Sequence, residues 1–141
     1  MLQWMLLPFR RYADFSGRSQ RKEYWMFLLF NWVVALMWGA VIGIVMLALY
    51  FTDMSEDSMM LVCMTLILPY AIYSLWVIVP GLAVTVRRLH DLDKSGWHLL
   101  IGLIPLVGGI ILIIWYCTLG TRGPNRYGPD PLAGHAAPVF A

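Results

Sequence analysis

The sequence predicts an all-α integral membrane protein with three transmembrane helices and a short interfacial N-terminal segment. Two observations carry that prediction. Apolar residues make up 60% of the 141 and charged residues only 13%, against roughly 45–50% and about 25% in soluble domains. The charges are also segregated, leaving three long apolar runs at 25–51, 59–85 and 96–119 that contain no Asp, Glu, Lys or Arg. Each run exceeds the length of about 18 residues that marks a spanning helix. A mean hydropathy of +0.71 agrees. The length suits a single membrane domain over 1–131, followed by a flexible tail at 132–141.

The chain opens with "MLQWMLLPFRRYADF". Its positive charges follow the apolar run rather than precede it, which is the wrong order for a secretory signal. Trp4, Leu6, Leu7 and Phe9 suit the headgroup boundary, where Arg10 and Arg11 would meet anionic lipid. Ser16 and Gly17 predict a turn, and a helix is expected to run from there into the first span.

The first run carries Ala35, Gly39 and Gly43 at four-residue spacing. Small residues so placed share a helix face and allow close backbone approach, so they predict a packing seam within or between chains. Asn31 in the same run needs an interhelical hydrogen bond or a route to the interface. In the second run, Pro69 frees the carbonyl of Thr65, for which a nearby hydroxyl or water is the expected partner.

The third run has Pro105, Gly108 and Gly109 at its middle. It reads as a complete crossing kinked near Pro105, with a re-entrant hairpin as the alternative. The following segment 120–131 is turn-rich and reads as an ordered, irregular lid.

Orientation follows from the basic residues. Arg10, Arg11, Arg18, Arg21 and Lys22 precede the first run, and Arg87, Arg88 and Lys94 lie between the second and third. The link between the first two runs holds Asp53, Glu56 and Asp57 and no base. The N-terminus and the 86–95 loop are therefore expected in the cytoplasm. Three crossings place the C-terminus outside; the hairpin returns it to the cytoplasm with Arg122 and Arg126.

Candidate chemistry concentrates in "RRLHDLDKSGWHLL", residues 87–100. His90, Asp91 and Asp93 have metal-ligand chemistry, but no second ligand cluster accompanies them and adjacent bases can neutralise the carboxylates. No metal and no cofactor is expected. The sequence has no nucleophile elbow, zinc helix or phosphate loop, so no catalytic residues are assigned and an enzyme is not expected. Ser95 reads as an N-cap of the third helix, with Asp91 and Asp93 near its positive end. Arg18 or Arg21 is expected to meet Asp91 or Asp93. The two cysteines, Cys63 and Cys117, read as small buried apolar residues.

Four blocks together resemble a known family: "FSGRSQRKEYW" (15–25), "RRLHDLDKSGW" (87–97), "LIPLVGGIIL" (103–112) and "GTRGPNRYGPDP" (120–131). In order and spacing they resemble domain of unknown function 805, the bacterial YhaH-like inner-membrane proteins. The resemblance implies a small helical protein of the inner membrane and implies no catalytic residues. It adds weight to Gly17, Arg18, Arg21, Arg87, Arg88, His90, Asp91, Gly96, Trp97, Asn125 and Gly128.

The function expected is a non-enzymatic module. Its cytoplasmic rim, formed by Arg18, Arg21, Arg87, Arg88, His90, Asp91 and Asp93, would bind anionic lipid headgroups or a partner protein. The glycine seam would support a homo-oligomer or a membrane partner. The alternative is a subunit of a small transporter or channel using the broken helices. Nucleic acid is not an expected partner, because the bases form no long stripe.

Overall fold

The computed structural model describes residues 1–52 and 54–133. Asp53 and positions 134–141, most of the expected flexible tail, lie outside the described residues. The described residues are helical: α1 (Leu2–Arg10), α2 (Arg21–Tyr50), α3 (Glu56–Asp91), a 3-10 helix (Gly96–Leu103) and α4 (Val107–Cys117). The extended pairing among them is one β-bridge between Asn125 and Gly128. Helices α2 and α3 are long and apolar enough to cross a membrane. They carry the second predicted run whole and the first as far as Tyr50.

The chain divides into two compact units. One is 29–78; the other joins Met1–Leu28 to the residues from Val79 onward. Within 29–78, polar groups tie α2 to α3. The Tyr73 hydroxyl donates to Asn31 Oδ1 at 2.9 Å, and the Trp38 indole donates to the Leu66 carbonyl at 3.0 Å. Trp38 also stacks on Tyr70 at 6.3 Å. Asn31 thus has the interhelical bond it requires. Leu66 lies three residues before Pro69, where the proline loosens the backbone ladder, and an indole from α2 serves a carbonyl there.

Among the described residues, Gly39 and Gly43 of the small-residue face form no packing seam. Gly39 and Gly43 are exposed, and a Cβ on either would meet nothing within 4 Å. Asn31 and Trp38 supply directional bonds in an apolar setting, and the α2–α3 contacts follow those bonds rather than the glycines.

The other unit begins with α1. Pro8 is buried there, and Phe9 meets Phe27 edge-on at 5.2 Å. The chain turns at Gly17, with φ +76. The helix expected from this turn starts only at Arg21. Residues 18–20 instead lie against the end of α3, where the Ser19 amide donates to the Arg87 carbonyl at 3.0 Å.

The third run differs most from expectation. It forms no continuous kinked helix: the 3-10 helix and α4 fold back on each other as a hairpin. Ile104, held extended by the following proline at φ −76 and ψ 115, ends the first arm. Leu106 has φ +66 and ψ −45, and the Val107 amide donates to the Pro105 carbonyl at 2.8 Å. That is a γ-turn of the sterically strained hand, a tight reversal rather than a kink. The arms then pack in antiparallel order. Gly108 lies against Ile101, Leu112 against Gly102, and the His98 ring 5.7 Å from Trp115. Leu89, Leu112 and Tyr116 form the buried core here, flanked by Tyr24, Leu99 and Trp115. At about 1.5 Å per residue, α4 is roughly 16 Å long, about half the hydrocarbon thickness.

Ser95 is an N-cap, its side chain accepting from the Trp97 amide, but it caps the 3-10 helix. The two aspartates do not gather at that end. Asp93 terminates α3 in the left-handed conformation at φ 57. The Lys94 amide donates to the Leu89 carbonyl and the Asp93 amide to the His90 carbonyl, each at 3.0 Å, a Schellman cap.

Candidate functional site at the end of α3

The predicted span in α3 ends at Thr85, and residues 86–91 project beyond it. That last turn and a half carries Arg87, Arg88, His90 and Asp91. Three elements converge on it: the 11–24 segment, the C-terminus of α4, and the 118–131 lid.

Asp91 is the centre. Arg18 reaches its Oδ1 with Nε at 3.0 Å and Nη2 at 2.9 Å, and Arg88 Nη1 pairs with Oδ2. All three side chains are buried. Burial holds the Asp91 carboxyl above its ordinary range, and the two guanidiniums offset that only in part. Of the four pairings expected between Arg18 or Arg21 and Asp91 or Asp93, Arg18–Asp91 is the one that forms. Asp93 pairs instead with Arg126 at the surface, at 3.2 Å.

The arginines also act on main chain. Arg18 donates to the carbonyls of Gly123 at 2.6 Å and Thr121 at 2.5 Å, which draws the lid onto α3. Arg88 donates to the carbonyls of Trp115, Tyr116 and Thr118, and Arg21 to that of Cys117 at 2.9 Å. The carbonyls of Trp115, Tyr116, Cys117 and Thr118, around the C-terminus of α4, are thus met by two cations, that of Trp115 in addition to the Thr118 amide at 3.2 Å. A helix end set in an apolar environment needs such partners.

A second buried pair lies alongside. Arg87 Nη2 meets Glu23 Oε1 at 3.0 Å, and Nη1 donates to the carbonyls of Arg11 and Asp14. The turn it grips is itself fixed. The Ser16 hydroxyl and amide and the Arg11 guanidinium bind Asp14, and together they hold its carboxyl at about 2.

His90 Nδ1 lies 3.2 Å from the Gly17 carbonyl, and its ring stacks on Tyr127 at 3.8 Å with 4° between planes. Burial pushes the imidazole below its ordinary value, so it is neutral near pH 7. Bonding to a carbonyl places its proton on Nδ1. The lid closes around it. Asn125 Nδ2 donates to the His90 carbonyl at 2.9 Å and to Thr121 Oγ1 at 3.0 Å, and the Thr121 amide donates to the Asp91 carbonyl at 2.9 Å.

The expected rim is therefore only partly a rim. Arg18, Arg87 and Arg88 are buried and committed to partners within the chain, because α4 and the lid fold over them. Arg21, Asp93 and half-buried His90 remain at the surface. The exposed cations around the cluster are Arg10, Arg21, Lys22, Arg122 and Arg126. The residues that sequence reasoning missed are Glu23, Thr121, Gly120 and Tyr127. Glu23 and Tyr127 stand inside recognised motif blocks, but nothing local says that one pairs with Arg87 and the other stacks on His90. A Cβ at Gly120 would run into the Asp91 carboxylate, so this position must lack a side chain. Among the described residues, no three His, Cys, Asp or Glu side chains are grouped to hold a metal ion.

The model of a family described as protein of unknown function (DUF805) matches residues 12–129. Inner membrane protein YhaI of Escherichia coli (strain K12) is 42% identical over 135 residues, covering 94% of this chain and 98% of its own. Inner membrane protein YhaH of the same strain is 38% identical over 130 residues, covering 92% and 97%. The uncharacterized protein YiiR of that strain is 28% identical over 142 residues, covering 83% and 85%. No solved structure matches the chain.

Proposed function

The chain belongs to the DUF805 family of proteins of unknown function, and from that membership and the site we propose a non-enzymatic inner-membrane module that holds anionic lipid at its cytoplasmic face. The observation that carries this is the division of labour among the cations. Arg18, Arg87 and Arg88 are spent inside, building a rigid cap from α3, α4 and the lid. Arg10, Arg21, Lys22 and Arg122 are exposed around that cap, beside the starts and ends of apolar segments. Cations so placed face the headgroup layer, where each near the surface contributes about 1 kcal/mol toward an anionic membrane.

In this reading α2 and α3 cross the bilayer and 96–119 re-enters without crossing, giving two crossings rather than three. Support comes from the joint position of 95–96 and 117–123 at the same end of α3. Exposed Leu103, Ile104, Leu106 and Val107 at the hairpin tip suit hydrocarbon. The basic segments then share the cytoplasmic side with both termini, as the positive-inside rule favours. Green fluorescent protein fused to the C-terminus is expected to fluoresce, and alkaline phosphatase fused at residue 54 to be active. A dark C-terminal fusion with active phosphatase there would restore three crossings.

Lipid binding has its own test. Protein extracted in mild detergent is expected to carry anionic phospholipid enriched over the bulk membrane extract, read by native mass spectrometry. Adducts of the same composition as the bulk extract would sink the lipid reading.

A further inference from the structure

We propose that a groove between the start of α2 and the end of α4 binds one anionic diacyl phospholipid, with its phosphate on Arg21 and Lys22 and an acyl chain along Trp25 and Leu119. This rests on the lipid reading above and narrows it from a charged rim to one stoichiometric site.

The groove has a volume of ≈ 520 Å³ and two chemically distinct ends. Arg21 and Lys22 supply the polar end. Arg21 is exposed, and its Nη1 is already anchored to the Cys117 carbonyl at 2.9 Å. That bond holds the guanidinium across the groove and leaves Nε and Nη2 for an incoming oxyanion, the fork geometry that suits phosphate. Asp91 also lines the groove, but Arg18 and Arg88 already neutralise it. The polar end is therefore net positive.

Four residues supply most of the apolar end: Trp25 and Met26 from α2, Leu119 and Leu132 from beyond α4. Among the described residues Trp25, Leu119 and Leu132 are 37%, 61% and 49% exposed, so the apolar end is open to an acyl chain. Arg21 and Trp25 stand at i and i+4, so one helix face passes from phosphate chemistry to hydrocarbon chemistry within a turn. This is the order of groups along a phospholipid. It falls where the first apolar run begins, at the depth where tryptophan sits at the interface.

A second groove of equal volume provides an internal contrast. It is lined by Phe15, Leu82, Val86, Trp97, Leu100 and the neutral His90, among others, and by no Lys or Arg. Apolar space alone is thus common to both grooves, and the paired cations distinguish the first.

The test uses delipidated full-length protein in mild detergent, titrated with phosphatidylglycerol or phosphatidylcholine and read by native mass spectrometry. One phosphatidylglycerol is expected to bind at concentrations where phosphatidylcholine does not. Lys22→Gln gives up a cation–π contact with the Trp4 ring, 5.5 Å away, and is expected to weaken that adduct about tenfold, as is Arg21→Gln. Leu119→Asn is expected to weaken it also, and glycerol phosphate, which has no chains, to compete poorly. Arg126→Gln, which removes an exposed cation outside the lipid-facing set, is expected to keep the adduct. If that variant lowers binding as much as Lys22→Gln does, the groove is wrong and the diffuse rim stands. If glycerol phosphate competes as well as the lipid, the apolar half of the site is wrong. If the wild-type protein takes both lipids equally, the groove and the lipid reading fall together.

Discussion

Asp91→Asn is expected to be among the most destabilising single substitutions in this chain. The amide keeps the shape of the side chain but removes the charge that two buried guanidiniums face, those of Arg18 and Arg88. Removing one partner of a buried ion pair costs about 3–5 kcal/mol, because the remaining charge stays desolvated without compensation. Here two charges are left, and both also hold main chain. Arg18 positions the lid through Thr121 and Gly123, and Arg88 caps α4. The loss should therefore spread as release of the lid, read as cleavage by trypsin after Arg122 and Arg126 at protease levels that spare the parent protein. Asp93→Asn is the control. Its pair with Arg126 is exposed, with side chains 48% and 59% accessible, and exposed pairs contribute about 0–1 kcal/mol. Equal thermal midpoints for the two variants in detergent would show that the buried cluster does not hold the cap together.

The parts of this architecture that were legible in the sequence are those that depend on local pattern. Long uncharged runs show where α2 and α3 lie, because a charge in mid-bilayer is costly wherever the helix packs. The contact between the 14–25 block and Asp91 was also legible, since excess charge on one side of a membrane needs partners. What could not be read locally was burial. A run of charges beside an apolar span looks like a solvated rim; only the arrival of α4 and the lid turns Arg18, Arg87 and Arg88 inward. The same holds for 96–119. Its composition is compatible with a kinked crossing or a hairpin, and two distant features choose between them. One is the close contact of Gly108 with Ile101; the other is a set of arginines placed to meet the carbonyls that a short helix leaves open. The glycines in α2 taught the reverse lesson, since small residues at four-residue spacing permit a close approach without requiring one.

Gly108 and Gly109 turn that choice into a measurement with opposite signs. In a single kinked helix, alanine at either position is the better helix former, by roughly 0.5–1 kcal/mol. In the hairpin the two positions differ. A Cβ on Gly109 meets nothing within 4 Å, whereas one on Gly108 lies 2.9 Å from the Ile101 carbonyl carbon, 3.2 Å from Gly102 Cα, and in collision with the Ile101 oxygen. The obstacle is main chain, which cannot rotate aside as a side chain does. Overpacking costs about 1–3 kcal/mol where neighbours adjust, and with backbone on both sides Gly108→Ala is expected at the top of that range. It would act by prising α4 from the 3-10 helix, separating His98 from Trp115. Gly109→Ala is expected to raise the thermal midpoint slightly and Gly108→Ala to lower it by several degrees. If both substitutions stabilise alike, the two arms do not pack and the third apolar run is one helix after all.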